Sequence, residues 1–244
     1  MRLKLQLTLA MMISLVLGGM PNPTALAGDT RSGGICANEE TTISGTSGDD
    51  DIEGTPGDDV IHAGDGDDVI HGGEGDDRIC SDDGNDQIFG GPGADQLRGS
   101  NENDIVLGGP GRDVLLGGFD NDTIKGGQGR DEVRGGGSDD DITGGRGRDR
   151  LDGGTFNDRI SGEKGDDVIT GGQEDDVISG NLGDDRLNGE SGSDRLFGHS
   201  GDDRLDGTDV GSGTDELDGG GEIEGDTCEV DPGDSQTDCE LKPT

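Results

Sequence analysis

The sequence predicts an all-β protein assembled from short repeats, and three observations carry this prediction. Eighteen consecutive nonapeptides run from residue 45 to residue 206 without a change of frame. The sixth position is Asp and the eighth is Ile, Leu or Val in every one of them. Hydrophobic residues make up only 25% of the 244 positions, about half of what an ordinary globular domain carries. A single conventional core is therefore excluded.

Charge narrows the partners that this chain can have. Asp and Glu number 57 against 18 Lys and Arg, which gives a formal net charge of −39. Nucleic acids and anionic membrane surfaces are poor partners, because binding to them depends on Lys and Arg. Divalent cations are the natural partners of so many carboxylates.

Residues 1–27 have the pattern of a secretory signal. Arg2 and Lys4 are followed by a mostly apolar run from Leu5 to Leu17, and Ala25-Leu26-Ala27 resembles a cleavage site. An uncleaved anchor is the alternative, but the run is shorter than the ~20 residues that a membrane span needs. We therefore expect a secreted or cell-surface protein with no membrane span after signal removal.

Each position of the nonapeptide has a chemical role. In Gly72-Gly73-Glu74-Gly75-Asp76-Asp77-Arg78-Ile79-Cys80, the small residues at positions 1, 2 and 4 permit positive φ, so the turn can direct its carbonyls inward. Asp at position 6 adds a carboxylate. Flexible sets of six to eight oxygen ligands suit Ca²⁺ better than Mg²⁺. Positions 7 to 9 predict a short strand with position 8 pointing inward.

The predicted metal ligands are the eighteen position-6 carboxylates. Numbering the repeats from residue 45 divides them into two sets, and the nine in even-numbered repeats are Asp59, Asp77, Asp95, Asp113, Asp131, Asp149, Asp167, Asp185 and Asp203. The nine in odd-numbered repeats are Asp50, Asp68, Asp86, Asp104, Asp122, Asp140, Asp158, Asp176 and Asp194.

This pattern resembles the haemolysin-type calcium-binding repeats, the RTX nonapeptides Gly-Gly-x-Gly-x-Asp-x-U-x in which U is aliphatic. The resemblance covers residues 45–206 and a broken copy at 207–218. It implies a parallel β-roll (a β-solenoid) with two nonapeptides per coil, about nine coils, and Ca²⁺ between stacked turns on both flanks. It also implies a bacterial source, although the N-terminal signal departs from the toxin-like members, which carry a C-terminal secretion signal.

The two sets of turns differ in sequence. Position 4 is Gly in all nine even repeats but in only four of the nine odd repeats, and the exceptions are Glu102, Asp120, Ser138, Phe156 and Glu174. Since each exception lies 18 residues from the next, all five should stack on one side of the roll. We call the turns of the even repeats the even flank and those of the odd repeats the odd flank. We expect a regular row of Ca²⁺ sites on the even flank, and fewer, weaker or differently shaped sites on the odd flank between 99 and 179.

The same stretch allows two interpretations. All four Phe lie in odd repeats, and two of them, Phe119 and Phe156, lie in the altered turns of this stretch. In the same stretch, position 5 of the even repeats is Arg112, Arg130 and Arg148. One interpretation is a specialised surface for an extracellular glycan or protein, as in an adhesin or matrix protein. The other is neutral drift, with Arg pairing with surplus carboxylates.

The chain contains four cysteines, and the repeat consensus requires none of them. Even numbers of Cys in an exported chain suggest disulfides, and of three possible connectivities the sequence-local one is Cys36–Cys80 with Cys228–Cys239. A Cys36 that continued the repeat frame would lie ~12 Å from Cys80, too far for a disulfide. Either residues 28–44 fold back along the roll or this pair does not form, and the family likeness favours the fold-back. We expect 28–44 and 207–244 to cap the roll.

The low aliphatic content predicts that Ca²⁺ binding and folding are coupled. Burial of one aliphatic side chain per nonapeptide stabilises the fold by less than the conformational entropy cost of ordering nine residues, so bound cations must contribute. No nucleophile–His–acid set and no phosphate-binding loop occur in the sequence. We therefore expect a calcium-binding protein with a structural or interaction role and not an enzyme.

Overall fold

The computed structural model describes residues 40–208, 213–220 and 225–241, and these form a parallel β-roll. The predicted signal at 1–27 lies outside the described residues. Two sheets face each other, with 12 and 11 strands, and the chain alternates between them at every strand. The predicted all-β roll is confirmed.

The first sheet contains the odd-numbered strands, which are β1 (Ile43–Ser44), β3 (Val60–His62), β5 (Arg78–Asp83), β7 (Gln96–Asn101), β9 (Val114–Gly118), β11 (Glu132–Gly137), β13 (Arg150–Thr155), β15 (Val168–Gln173), β17 (Arg186–Ser191), β19 (Arg204–Asp206), β21 (Thr227–Glu229) and β23 (Glu240–Leu241). The second contains the even-numbered strands, which are β2 (Asp51–Glu53), β4 (Val69–His71), β6 (Gln87–Phe89), β8 (Ile105–Gly111), β10 (Thr123–Gly129), β12 (Asp141–Gly147), β14 (Arg159–Lys164), β16 (Val177–Leu182), β18 (Arg195–Ser200), β20 (Glu216–Gly220) and β22 (Ser235–Thr237).

The register of the strands fixes two nonapeptides per coil. Ile124 in β10 pairs with Val106 in β8 and with Ile142 in β12, a step of 18 residues in each direction. Equivalent positions of successive coils therefore stack about 4.8 Å apart. Odd and even turns connect the two sheets at opposite edges of the roll.

The core is a column of position-8 side chains from the two facing sheets. All eighteen are buried, from Ile52 at 7% exposure to several that are fully enclosed. Strand alternation directs position 8 inward and leaves positions 7 and 9 at the surface. Each side chain packs mainly on its neighbours along the column, so stability is shared between adjacent coils.

The roll continues beyond the regular repeats at both ends. Ile43 pairs with Ile61 ahead of the first repeat. After residue 206, Leu217 pairs with Leu196 and Cys228 pairs with Leu205, so the column persists through the irregular segment. The pairing of these strands is kept although the step along the sequence is 21 and 23 residues instead of 18.

The predicted Cys228–Cys239 disulfide is present, with a Cα–Cα distance of 5.7 Å. It ties β21 to the segment that leads into the last described strand. Cys80 is buried, and its predicted partner Cys36 lies outside the described residues, so Cys36–Cys80 stays a prediction. Within the described ranges, no helix has the length and apolar character needed to cross a membrane.

Between residues 102 and 174, position 4 differs between the flanks in backbone conformation, whereas Gly84 and Gly192 at position 4 of outer odd repeats have φ of +145° and +155°, like the even-flank glycines. On the even flank Gly129 and Gly147 have φ of +144° and +147°, and a Cβ on Gly147 would collide with the carbonyl oxygen of Gly129 one coil earlier. On the odd flank Ser138 and Phe156 have φ of +77° and +79°, within the left-handed region that residues with a Cβ reach at some cost.

Gly147→Ala should therefore destabilise the roll by about 1–3 kcal/mol, because Ala reaches this φ only with strain and its Cβ would push the stacked coils apart. The matched substitution Ser138→Ala adds no Cβ and should change stability by less than about 0.5 kcal/mol. Urea unfolding in saturating Ca²⁺ measures both. Equal losses for the two variants would contradict this account of the even-flank turn.

Candidate metal centre

Two rows of buried carboxylates run along the roll, one on each flank. Seventeen of the eighteen predicted position-6 Asp side chains are buried, and Asp50 in the first turn is half-buried. A buried carboxylate is costly unless it is paired, hydrogen-bonded or bound to a metal. Whether each carboxylate oxygen already accepts a hydrogen bond therefore determines whether these rows can bind a metal ion.

From Asp68 onward, one oxygen of each position-6 carboxylate holds the neighbouring coil. The backbone N–H of Asp122 donates to Oδ1 of Asp140 at 2.8 Å, and the N–H of Asp131 donates to Oδ1 of Asp149 at 2.8 Å. The same bond recurs along both flanks at an 18-residue spacing. This ladder fixes the orientation of each carboxylate.

The second oxygen, Oδ2, has no hydrogen-bond donor in most of the turns. Within the described residues, this holds for the position-6 Asp at every ninth residue from 68 to 185, except Asp86 beside the Ser81 hydroxyl, and again for Asp203. The first two turns are different, because Thr46 and Thr55 donate to Oδ2 of Asp50 and Asp59 from both N–H and hydroxyl.

Each orphaned Oδ2 faces a cradle made of backbone. A Cβ on Gly72 would lie 2.5 Å from Oδ2 of Asp77 and 2.7 Å from the carbonyl oxygen of Gly90 in the next coil. On the odd flank, Gly117 has the same relation to Asp122 and to the carbonyl of Gly135. Position 1 is therefore small because a carboxylate and a carbonyl oxygen of adjacent coils both approach it.

The rows place negative charge where it is poorly solvated. Burial, with repulsion from neighbouring carboxylates, raises the pKa of Asp104, Asp122 and Asp140 to about 8. On the even flank burial raises the pKa of Asp95 and Asp131 to about 6. The fold therefore holds ionised carboxylates at neutral pH only at a cost that a cation would offset.

These donors fit a hard cation that draws on backbone and side-chain oxygens together. In the part of the chain that the structure describes, no group of three His, Cys, Asp or Glu side chains comes together to form a metal site by itself. A cation would therefore take one carboxylate oxygen from position 6 and further oxygens from turn carbonyls of adjacent coils. Mixed oxygen sets of this kind suit Ca²⁺.

Two carboxylates beyond the regular repeats extend the rows. Asp215 and Asp226 are both 3% exposed, and they accept from the N–H groups of Asp194 and Asp203 through Oδ1 at 2.8 Å. Asp215 follows Asp194 by 21 residues and Asp226 follows Asp203 by 23, instead of the regular 18, so a strict nine-residue frame misses both. The surviving signal is Asp followed two residues later by the inward Leu217 or Cys228.

A second ladder, at position 5, is continuous on the odd flank. There each Asp or Asn accepts through Oδ1 from the N–H of the following coil, as Asn121 does from Asp139 and Asp139 does from Asn157. The same side chains line an open groove. On the even flank Ala94 and the arginines at 112, 130 and 148 offer no acceptor, so the ladder is interrupted. In this respect the odd flank is the more regular one.

Comparison with protein families agrees with this geometry. The model of the RTX calcium-binding nonapeptide repeat (4 copies) matches residues 44–79, 81–115, 116–151, 143–178, 152–187 and 179–210. These matches cover more than half of the chain. The chain therefore belongs to this family of calcium-binding repeat proteins. A comparison with curated proteins gave no match.

Without Ca²⁺, acidification should stabilise the roll. The raised pKa values mean that between about pH 4 and pH 8 the folded chain binds more protons than the unfolded chain, whose Asp groups titrate near 3.8. This contribution is complete below the unfolded pKa and is lost as the pH rises through the folded values. Far-UV circular dichroism in EDTA should show more β structure at pH 4.5 than at pH 8, and a trend in the opposite direction would contradict it.

Asp140→Asn should weaken Ca²⁺-dependent folding, because it removes a charged oxygen from a buried row. Asp139→Asn is the matched control, since Asp139 is exposed and its ladder already contains Asn121 and Asn157. We expect a higher Ca²⁺ midpoint for Asp140→Asn and little change for Asp139→Asn. The even-flank variant Asp131→Asn, measured alongside, compares the contributions of the two flanks.

Proposed function

We propose that this chain is an exported protein whose repeats fold when they bind Ca²⁺, and that it has a structural or interaction role outside the cell. The observation that carries the proposal is the pair of rows of buried carboxylates with one hydrogen-bonded and one orphaned oxygen. Membership of the calcium-binding repeat family supports the identity of the cation. The signal-like residues 1–27 support export.

The residues proposed to hold Ca²⁺ are the position-6 Asp side chains with the turn carbonyls around them. Asp215 and Asp226 join this set because they occupy the same ladder. Asp50 and Asp59 are its weakest members, since the Thr donors already use their Oδ2 atoms. A bound divalent cation would neutralise the charge repulsion between successive coils.

Coupling of folding to binding follows from the thin core. The column of position-8 side chains contributes one buried aliphatic residue per nonapeptide, while the same nonapeptide buries a carboxylate. Only the folded turns can bind the cation, so the free energy of cation binding contributes directly to the free energy of folding. The unbound chain at neutral pH is expected to be unfolded for this reason.

A second candidate role is recognition of a glycan or protein by the odd flank. Phe119 and Phe156 are 48% and 51% exposed in its altered turns, and exposed aromatic side chains are common at binding surfaces. Phe119→Ala with Phe156→Ala tests it through retention on polysaccharides or whole cells. Unchanged retention of the double variant would remove this candidate.

A Ca²⁺ titration of residues 28–244 tests the main proposal. Far-UV circular dichroism should show a cooperative transition from coil to β structure with Ca²⁺, and little or none with Mg²⁺ at the same concentration. No transition, or an equal one with Mg²⁺, would overturn it. N-terminal sequencing of protein released into the medium should begin at Gly28 if residues 1–27 act as the signal.

A further inference from the structure

The cationic side chains of the turns are confined to one flank. Among positions 1 to 6 of the eighteen repeats, every Lys and Arg lies in an even repeat, and they are Arg112, Arg130, Arg146, Arg148 and Lys164. All five are exposed. In a chain with a net charge of −39, this is a local basic surface, which we call the basic stripe.

The stripe has the regular spacing of the fold. Arg112, Arg130 and Arg148 occupy position 5 of successive even repeats, so their backbones stack one coil apart, about 4.8 Å. Arg148 forms an ion pair with Asp166, while Arg112 and Arg130 make no ion pair within the described residues. Arg112 and Arg130 repel each other without such compensation, and an anionic counterpart of the same spacing would relieve this repulsion.

The opposite edge of the roll offers such a counterpart. The turns of the odd flank contain no Lys, Arg or His at any of the six positions. Over the same coils the flank exposes carboxylates at Glu102, Asp120, Asp139 and Glu174, together with Phe119 and Phe156. We call this surface the acidic stripe.

We propose that the basic stripe of one copy of this chain binds the acidic stripe of a second copy, with the two roll axes aligned. The two stripes run along the same coils: the basic stripe has at least one cation in each even turn from 108 to 167, and the acidic stripe has a carboxylate in the odd turns at 102, 120, 139 and 174 with Phe156 in the turn between. Arg and carboxylate rows can therefore meet in register over several coils. The exposed Phe side chains lie within the acidic stripe, where facing Arg side chains can stack on them. Arg195 already makes this contact with Phe197 inside the chain, 5.3 Å from the ring centroid.

The two stripes lie on opposite edges of the molecule, so the contact is heterologous. One copy bound through its basic stripe still presents a free acidic stripe, and the association can continue into a side-by-side array. The overall negative charge opposes this association. Each bound Ca²⁺ removes two negative charges from that total, so the array should form in the Ca²⁺-loaded state.

An anionic polymer is a different occupant for the basic stripe, and the structure favours a second copy. A polymer would account for the Arg row alone. A second copy also accounts for the cation-free odd flank and for the Phe side chains exposed there over the same coils.

Sedimentation velocity in saturating Ca²⁺ tests the proposal, with circular dichroism as a separate check of folding. The wild-type chain should show a weight-average sedimentation coefficient that rises with protein concentration and falls with added salt. The basic-stripe variant Arg112→Glu, Arg130→Glu, Arg148→Glu should associate at least about tenfold more weakly. The control Arg150→Glu, Arg195→Glu, Arg204→Glu makes the same change in net charge at exposed strand positions that belong to neither stripe, and it should retain association.

Charge exchange provides the second test. The acidic-stripe variant Glu102→Lys, Asp120→Lys, Glu174→Lys should also fail to associate alone, while a mixture with the basic-stripe variant should regain association. A folded wild-type chain that stays monomeric at every concentration would overturn the proposal, as would equal loss in the sheet-face control. A monomeric wild type that binds sulfated polysaccharide beads through the three arginines would assign the basic stripe to an anionic polymer instead.

Discussion

The structure depends on a divided use of each position-6 carboxylate. Oδ1 accepts a hydrogen bond from the neighbouring coil and holds the side chain in place. In most of the turns, Oδ2 faces a glycine and a carbonyl oxygen, without a donor. The turn, the register and the metal chemistry all follow from this arrangement, because the same group that joins two coils also creates the need for a cation between them.

The buried carboxylates that call for a cation are distributed evenly along the chain. Each coil contacts only its neighbours, as in other repeat proteins, so every coil adds one aliphatic pair to the core and one carboxylate to each flank. A fold of this kind has no central core to compensate for a missing cation elsewhere. Stability is therefore local, and under the proposed coupling of folding to Ca²⁺ binding each turn would depend on the cation beside it.

The two flanks share this chemistry but differ at their surfaces. Position 4 on the even flank admits only Gly where carbonyls stack closely, whereas the five odd turns from 102 to 174 accept side chains at a less extreme φ. The odd flank in turn keeps an unbroken ladder of Asp and Asn at position 5, which arginines interrupt on the even flank. The two flanks thus vary at positions 4 and 5 of the turns, while the buried Asp at position 6 is the same on both.

Much of this arrangement was determined by the sequence itself. An unbroken period of nine with Asp and an aliphatic residue at fixed positions determines the strands, the inward column and the row of carboxylates, because strand alternation and the 18-residue coil leave little freedom. The pairing of Cys228 with Cys239 was also predictable from their proximity in the chain.

Only the tertiary structure placed Asp215 and Asp226 in the rows, since insertions hide them from any fixed period while strand pairing restores their register. It also decided which carboxylate oxygen is used and which is left over. That choice depends on a backbone N–H one coil away, a contact between residues 18 positions apart that exists only once the coils have stacked.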